Sequence, residues 1–191
     1  RYIWNQASET MADENEKPTK KANPAPLGLL GFGMTTVLLS LHNAGITPLD
    51  GVTLMMGVFC GGIAQLIAGL MEYRNGNTFG TVAFTMYGAF WLVLVGIKTD
   101  ITGTGSGQDT MGALCLLWGI LTLFLFIGTL KGRTAPKIVF LTLTITFMLL
   151  SIADFMGAET VTVISGAVGV FCGISAMYTA FAEVLSEQYE R

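Results

Sequence analysis

Neutral hydrogen-bonding side chains inside long apolar segments are the residues best suited to chemistry in this sequence. They are Thr35, Thr36, Gln65, Thr85, Tyr87, Thr142, Thr144 and Thr146. Such groups can hydrogen-bond a small solute along a narrow path, although a threonine can instead bond a carbonyl one turn back in its own helix. Gln65 is the strongest candidate for a functional role, because its amide has donors and an acceptor that need partners in apolar surroundings.

An aromatic stripe accompanies these polar residues. Phe84, Tyr87 and Trp91 follow one another at spacings of three and four residues, which places them on one face of a helix. Tyr87 and Trp91 lie near the middle of an apolar segment, whereas Tyr and Trp in membrane proteins usually gather at the segment ends. The stripe is therefore consistent with either core packing or the lining of a pore, and a buried tyrosine hydroxyl needs a partner in both cases.

Charged side chains are missing from the interior of the apolar segments. No lysine or arginine lies there, and Glu72, Asp154, Glu183 and the single histidine, His42, all fall at segment ends. A charge-relay pump or voltage sensor needs such groups deep in the membrane, and an intramembrane hydrolase needs an acid–base pair. The sequence thus argues against an enzyme and predicts neither a metal site nor a cofactor.

Six apolar segments must position these side chains. Hydrophobic residues make up 52% of the chain and charged residues 12%, against roughly 25% charged residues in ordinary soluble domains. The segments span residues 24–42, 51–71, 78–97, 111–130, 137–153 and 161–182. Each is close to the ~20 residues that a helix needs to cross a bilayer. The sequence predicts an all-α integral membrane protein with a six-helix transmembrane domain over residues 23–185, surrounded by lipid.

Charged residues outside the segments predict the orientation. The loops and tail on one side contain Lys17, Lys20, Lys21, Arg74, Lys131, Arg133 and Lys137, and the loops on the other side contain only Lys98. By the positive-inside rule both termini are cytoplasmic. Residues 1–22 are expected to form a disordered cytoplasmic tail, and residues 186–191 a second, short cytoplasmic tail. The net charge of -3 is carried mostly in tails and loops and indicates no particular partner, and nucleic acid is not expected as a ligand.

Glycine-rich faces predict how the helices meet. Gly57, Gly61 and Gly69 recur on one face of the second segment, and Gly169 and Gly173 on one face of the sixth. Small residues let two helix backbones approach closely within a membrane. Six helices also have more lipid-facing surface than their own packing requires, so at least one glycine face is expected to contact a neighbouring protomer.

Several short motifs occur in order along residues 23–185. They are NPAPLGL at 23–29, HNAG at 42–45, GGIAQ at 61–65, GNTFG at 76–80, FTMYGAFW at 84–91, FIGTLK at 126–131 and EVL at 183–185. Together they resemble the acetate uptake transporter family, and in particular its bacterial succinate/acetate permeases. Several motifs in the same order are far more specific than any one of them.

This resemblance implies a six-span protomer in a ring-shaped homohexamer, with a path for acetate, and in some members succinate, through each protomer. It also implies a hydrophobic constriction, which falls here on Phe32, Tyr87 and Leu143. The opening motif adds Asn23 and Leu27 at the cytoplasmic mouth of the path. The complete expected path consists of Asn23, Leu27, Phe32, Thr36, Gln65, Tyr87, Trp91, Thr142 and Leu143.

An apolar constriction restricts how a carboxylate can cross. A bare charge in such a place is so unfavourable that the group usually takes up a proton. Acetate would therefore pass either as the protonated acid or as a carboxylate held briefly by neutral donors, and proton-coupled uptake is the leading expectation. A slow channel and an alternating-access carrier both fit. The alternatives are a channel for a neutral solute such as urea, an amide or ammonia, and a structural or sensory membrane protein.

Overall fold

The computed structural model describes residues 21–189 and consists of six helices, each long and apolar enough to cross a membrane. They are α1 (Ala25–Asn43), α2 (Gly51–Arg74), α3 (Thr78–Lys98), α4 (Gln108–Thr129), α5 (Thr134–Met156) and α6 (Glu159–Tyr189). The described residues contain no strand, and the predicted six-helix class is confirmed. Most of the predicted N-terminal tail lies outside the described residues. Residues 186–189 of the predicted C-terminal tail are helical, because α6 continues to Tyr189.

Local sequence signals set the helix ends. Pro26 lies in the first turn of α1, where a missing backbone N–H leaves no hydrogen bond unmade. The Asp50 carboxylate accepts from the backbone N–H groups of Val52 and Thr53 at the start of α2. Asn77 caps α3 in the same way by accepting from Gly80 N–H at 3.1 Å. Gly157 ends α5 with a left-handed φ of 61°.

Consecutive helices run antiparallel, and the odd-numbered helices form the inside of the bundle. The buried share of the most apolar stretch is 50% in α3 and in α5 and 44% in α1. The corresponding share is 33% in α2, 28% in α4 and 33% in α6. The end of the bundle where α1, α3 and α5 begin is called the basic end here. It contains Lys21, Arg74, Lys131, Arg133 and Lys137. The inner helices thus determine what lies along the axis between the two ends.

The glycine faces of α2 and α6 are occupied within the chain. A side chain at Gly173 would lie 2.7 Å from the Gly33 carbonyl oxygen of α1, and one at Gly61 would lie 2.6 Å from the Trp91 ring of α3. Gly169 likewise packs against the Ser40 hydroxyl of α1. Close helix packing is therefore confirmed, but these faces meet helices of the same chain. Because α1 and α3 already occupy these faces, other surfaces are the better candidates for a contact between protomers.

The centre of α2 differs from the regular helix that the sequence predicts. Gly57–Ala64 is π-helical, a rare arrangement that frequently marks functional sites. The Thr35 hydroxyl from α1 lies 3.2 Å from the Met56 carbonyl oxygen at the entrance to this segment and 2.8 Å from the Gly31 carbonyl oxygen. Irregular turns leave some backbone groups without a hydrogen bond inside the helix, and hydroxyl groups of neighbouring helices commonly bond to them instead. Gln65 is the first residue after the π-helical segment, so this irregularity directs its side chain.

Candidate functional site

Two cavities lie one after the other along the inside of the bundle. The basic-end cavity has a volume of about 130 Å³ and is lined by the first turns of α1, α3 and α5 and the last turns of α2 and α6. The opposite-end cavity has a volume of about 40 Å³ and is lined by the later turns of α1, α3 and α5. Among the described residues, only Phe32, Tyr87 and Leu143 line both cavities. These three side chains, one from each inner helix, form the layer between them.

Tyr87 presents its ring, rather than its hydroxyl, to this layer. Its hydroxyl donates to the Thr122 hydroxyl oxygen of α4 at 3.0 Å, and Thr122 in turn donates to the Trp118 carbonyl at 2.6 Å. The Tyr87 ring centre lies 5.8 Å from that of Phe32 and 6.3 Å from that of Phe140. The hydrogen bond to α4 thus fixes the ring and leaves the layer apolar.

The polar groups of the basic-end cavity are the amides of Gln65 and Asn77, the carboxylates of Glu72 and Glu183, and the hydroxyl groups of Tyr87 and Thr179. Gln65 is fully buried, and its Nε2 donates to the Gly61 carbonyl at 2.7 Å. Because a carbonyl only accepts, this bond fixes the amide orientation and leaves Gln65 Oε1 without a protein partner. Glu72 is only 3% exposed and accepts from Asn77 Nδ2 at 2.8 Å. Glu183 accepts from Asn23 Nδ2 at 3.1 Å.

The opposite-end cavity is neutral. Its polar lining consists of Thr36, Ser40, Asn43, Trp91 and Thr146, and Tyr87 is the one titratable side chain among its described lining residues. Thr36 Oγ1 is buried without a protein partner, whereas Thr146 donates to the Thr142 carbonyl. A free hydroxyl can either donate to a solute or accept from it. The two cavities therefore differ in charge although they share the same apolar layer.

Comparisons with known proteins place this arrangement among membrane transport proteins. The sequence profile of the GPR1/FUN34/yaaH family matches residues 8–190. The chain belongs to this family. One relative is the succinate-acetate/proton symporter SatP of Escherichia coli strain K12, to which the chain is 53% identical over 177 residues. This match covers 91% of this chain and 94% of the relative. The chain is 38% identical over 183 residues to the ammonia transport outward protein 2 of Saccharomyces cerevisiae, covering 88% of this chain and 64% of that protein.

A solved structure of a family member has the same fold. It is described as the structure of the bacterial acetate channel SatP, and it superposes with a TM-score of 0.87 at 51% identity. The match covers 90% of this chain and 97% of that one. The six-helix arrangement described above is thus the fold of this solved channel, and the resemblance to acetate uptake transporters is confirmed.

Six of the nine expected path residues line the cavities. Phe32, Tyr87 and Leu143 line both, Gln65 lines the basic-end cavity, and Thr36 and Trp91 line the opposite-end cavity. Asn23 lies at the edge of the basic-end cavity through its bond to Glu183. Leu27 and Thr142 line neither cavity. Leu27 is 41% exposed on the outer side of α1, and the Thr142 hydroxyl bonds to the Ile138 and Val139 carbonyls of its own helix.

The path expected from the sequence did not include Glu72, Glu183 or Thr122. Both glutamates lie near segment ends, where charge is ordinary, so their lining positions went unrecognised. A signal was present for Glu72, because it follows Gln65 by seven residues and two helical turns place both on one face. Thr122 had no comparable signal, since it is one hydroxyl within the apolar α4.

Proposed function

We propose that this protein transports acetate and related small carboxylates, including succinate, across a cell membrane together with protons. The observation that carries the proposal is the pair of cavities that meet at one apolar layer along the inner helices. The names of the 53% identical symporter and of the structurally similar channel support the substrate class. A transport path of this kind needs neither a cofactor nor a metal.

Phe32, Tyr87 and Leu143 are the constriction of this path in our proposal. All three side chains are almost completely buried, and each comes from a different inner helix. The Tyr87 hydroxyl is engaged by Thr122, so the layer has no free donor for a carboxylate. An unpaired carboxylate in apolar surroundings is strongly unfavourable, which favours passage of the neutral acid at this point.

The basic end faces the cytoplasm in this proposal, so both termini are cytoplasmic. The excess of lysine and arginine at that end supports the orientation. A ring-shaped homo-oligomer, most simply a hexamer, is supported by the family resemblance and by the low burial of α2, α4 and α6. Their exposed apolar side chains, among them Phe59, Phe124 and Phe171, are available to lipid and to neighbouring protomers.

Uptake of labelled acetate into proteoliposomes tests the function directly. We expect uptake above that of protein-free vesicles, and accumulation beyond equilibrium when the proton gradient favours entry. The names of the relatives differ on this coupling, since one is a proton symporter and the other a channel. Uptake that stops when the acetate concentrations inside and outside the vesicles are equal, despite the proton gradient, would contradict the proton coupling. No uptake above protein-free vesicles would contradict acetate transport itself.

A second candidate function is the passage of ammonia or ammonium. It is favoured by two carboxylates in the basic-end cavity and by the name of the yeast relative. Labelled methylammonium, used in the same proteoliposomes, distinguishes the two functions. Methylammonium flux that unlabelled ammonium inhibits, in the absence of acetate flux, would establish this second function in place of the first.

Asn23 provides a test of the cytoplasmic mouth of the path. Its Oδ1 accepts from Ala25 N–H at 3.1 Å, and its Nδ2 donates to Glu183 at 3.1 Å. We expect Asn23→Asp to reduce acetate flux, because it keeps the acceptor but places a second carboxylate beside Glu183. Thermal unfolding of the purified protein and acetate uptake should be measured together. If flux survives in Asn23→Asp while Asn23→Ala lowers thermal stability, the residue serves only to cap α1.

A further inference from the structure

The basic-end cavity has an unusual charge for a path taken by an anion. Glu72, Glu183 and Tyr87 are the titratable side chains that line it, and its described lining residues include no lysine, arginine or histidine. Arg133 lines a surface groove at the basic end that adjoins this cavity and shares Pro136, Thr179 and Glu183 with it, but Arg133 does not line the cavity itself. A carboxylate that entered this cavity would meet two glutamates without a lining cation to offset the repulsion.

Hydrogen bonding in this cavity also favours a ligand that donates. The hydroxyl hydrogens of Tyr87 and Thr179 are already used, by Thr122 and by the Ser175 carbonyl. The nitrogens of Gln65 and Asn77 each use one of their two N–H groups on a protein acceptor. Among the fully buried side-chain N and O atoms of the described lining residues, the one without a protein partner is an oxygen, Gln65 Oε1. A buried acceptor in this state is unfavourable unless a ligand or water donates to it.

The opposite-end cavity lacks these features. Its lining, within residues 21–189, contains no carboxylate. Its unpartnered buried atom is the Thr36 hydroxyl oxygen, whose hydrogen is available to a carboxylate. The two sides of the Phe32, Tyr87 and Leu143 layer are therefore suited to different protonation states of one substrate.

We propose that Gln65, Glu72 and Glu183 form a selectivity site that accepts the undissociated carboxylic acid and excludes its anion. The acid O–H donates to Gln65 Oε1, while the two glutamates repel a carboxylate that has not taken up a proton. This inference rests on the proposed function and adds the residues that determine which protonation state passes. Gln65 binds the substrate, and the glutamates act on its charge.

Acetate flux at two pH values tests this site in the unmutated protein. Total acetate is adjusted so that the concentration of undissociated acid is the same at both values and only the anion concentration differs. Flux above that of protein-free vesicles should then be equal at both values and carry no electrical current. Acetate flux that rises with the anion concentration would overturn the selectivity site while leaving acetate transport intact. Absence of flux would instead contradict the proposed function.

Removing the two negative charges tests the role of the glutamates. In Glu72→Gln/Glu183→Gln the amides keep acceptor oxygens for Asn77 and Asn23, so the local hydrogen bonds can persist. We expect an acetate-dependent current to appear in planar bilayers, because the glutamates no longer repel the anion and only the apolar layer still opposes its passage. Glu159→Gln, which makes the same change at an exposed residue outside both cavities, should produce no current. A double variant that folds and stays electroneutral would overturn the role of the glutamates.

Gln65→Met tests the acceptor, because methionine fills a similar volume without a strong acceptor. We expect acetic acid flux to fall about 10-fold, the effect of losing one hydrogen bond to a buried group. Thermal unfolding should be compared with that of the unmutated protein, and if Gln65→Met does not fold, the current of the glutamate variant decides the proposal. Unchanged flux in a folded Gln65→Met protein would show that Gln65 does not bind the acid.

Discussion

Replacing Leu143 with alanine should admit larger carboxylates such as lactate. Leu143 is one of three side chains that line both cavities, and it is almost completely buried between them. Truncating a buried leucine leaves a void, because the surrounding side chains relax only partly. The layer should therefore widen by part of the volume that the side chain filled. Labelled lactate uptake, expressed relative to acetate uptake in the same proteoliposomes, measures the change.

Leu141→Ala is the matched control for this experiment. Leu141 belongs to the same helix but is 43% exposed on its outer side and lines neither cavity. Its truncation should leave the lactate-to-acetate ratio unchanged. Leu143→Ala is expected to cost about 2–5 kcal/mol of stability, so both variants require a thermal unfolding measurement. An unchanged lactate-to-acetate ratio in folded Leu143→Ala would contradict the constriction.

The sequence predicted the six helices well, because length and continuous apolarity mark a membrane span regardless of its neighbours. It did not distinguish the inner helix faces from the outer ones. In a membrane both faces are apolar, so Leu27 and Phe32 look alike in sequence, although Leu27 is exposed and Phe32 is buried. Phe32 and Leu143 were consequently obtained from the family resemblance. Tyr87 was found from the residues themselves, since its polar group lies in the middle of a span.

Side-chain direction explains the remaining differences. A π-helical segment is not encoded in any apolar period, so the irregular turns of α2 that precede Gln65 could not be predicted. Glycine faces favour close contact but do not identify the partner helix. The face of α6 with Gly169 and Gly173 was therefore a reasonable candidate for a contact between protomers, although it packs on α1 of the same chain.

Gly173→Leu should strongly destabilise the protomer. A side chain at this position would come within 2.7 Å of the Gly33 carbonyl oxygen and 3.0 Å of the Val37 nitrogen. Both are backbone atoms of α1, so the conflict cannot be relieved by a rotamer change, and α1 and α6 must separate. Such overpacking costs about 1–3 kcal/mol in well-packed cores and occasionally more. Thermal unfolding in detergent should shift to a clearly lower temperature.

Gly51→Leu is the corresponding control, because a side chain at Gly51 would meet no atom within 4 Å. It should leave the unfolding temperature nearly unchanged. Light scattering, corrected for bound detergent, gives the oligomeric mass of each variant and distinguishes the two possible roles of the α6 face. If this face packs only on α1, Gly173→Leu loses stability, and any protein that remains folded keeps the mass of the unmutated oligomer. A Gly173→Leu protein with unchanged unfolding temperature but the mass of a single protomer would mean that this face also binds a neighbour.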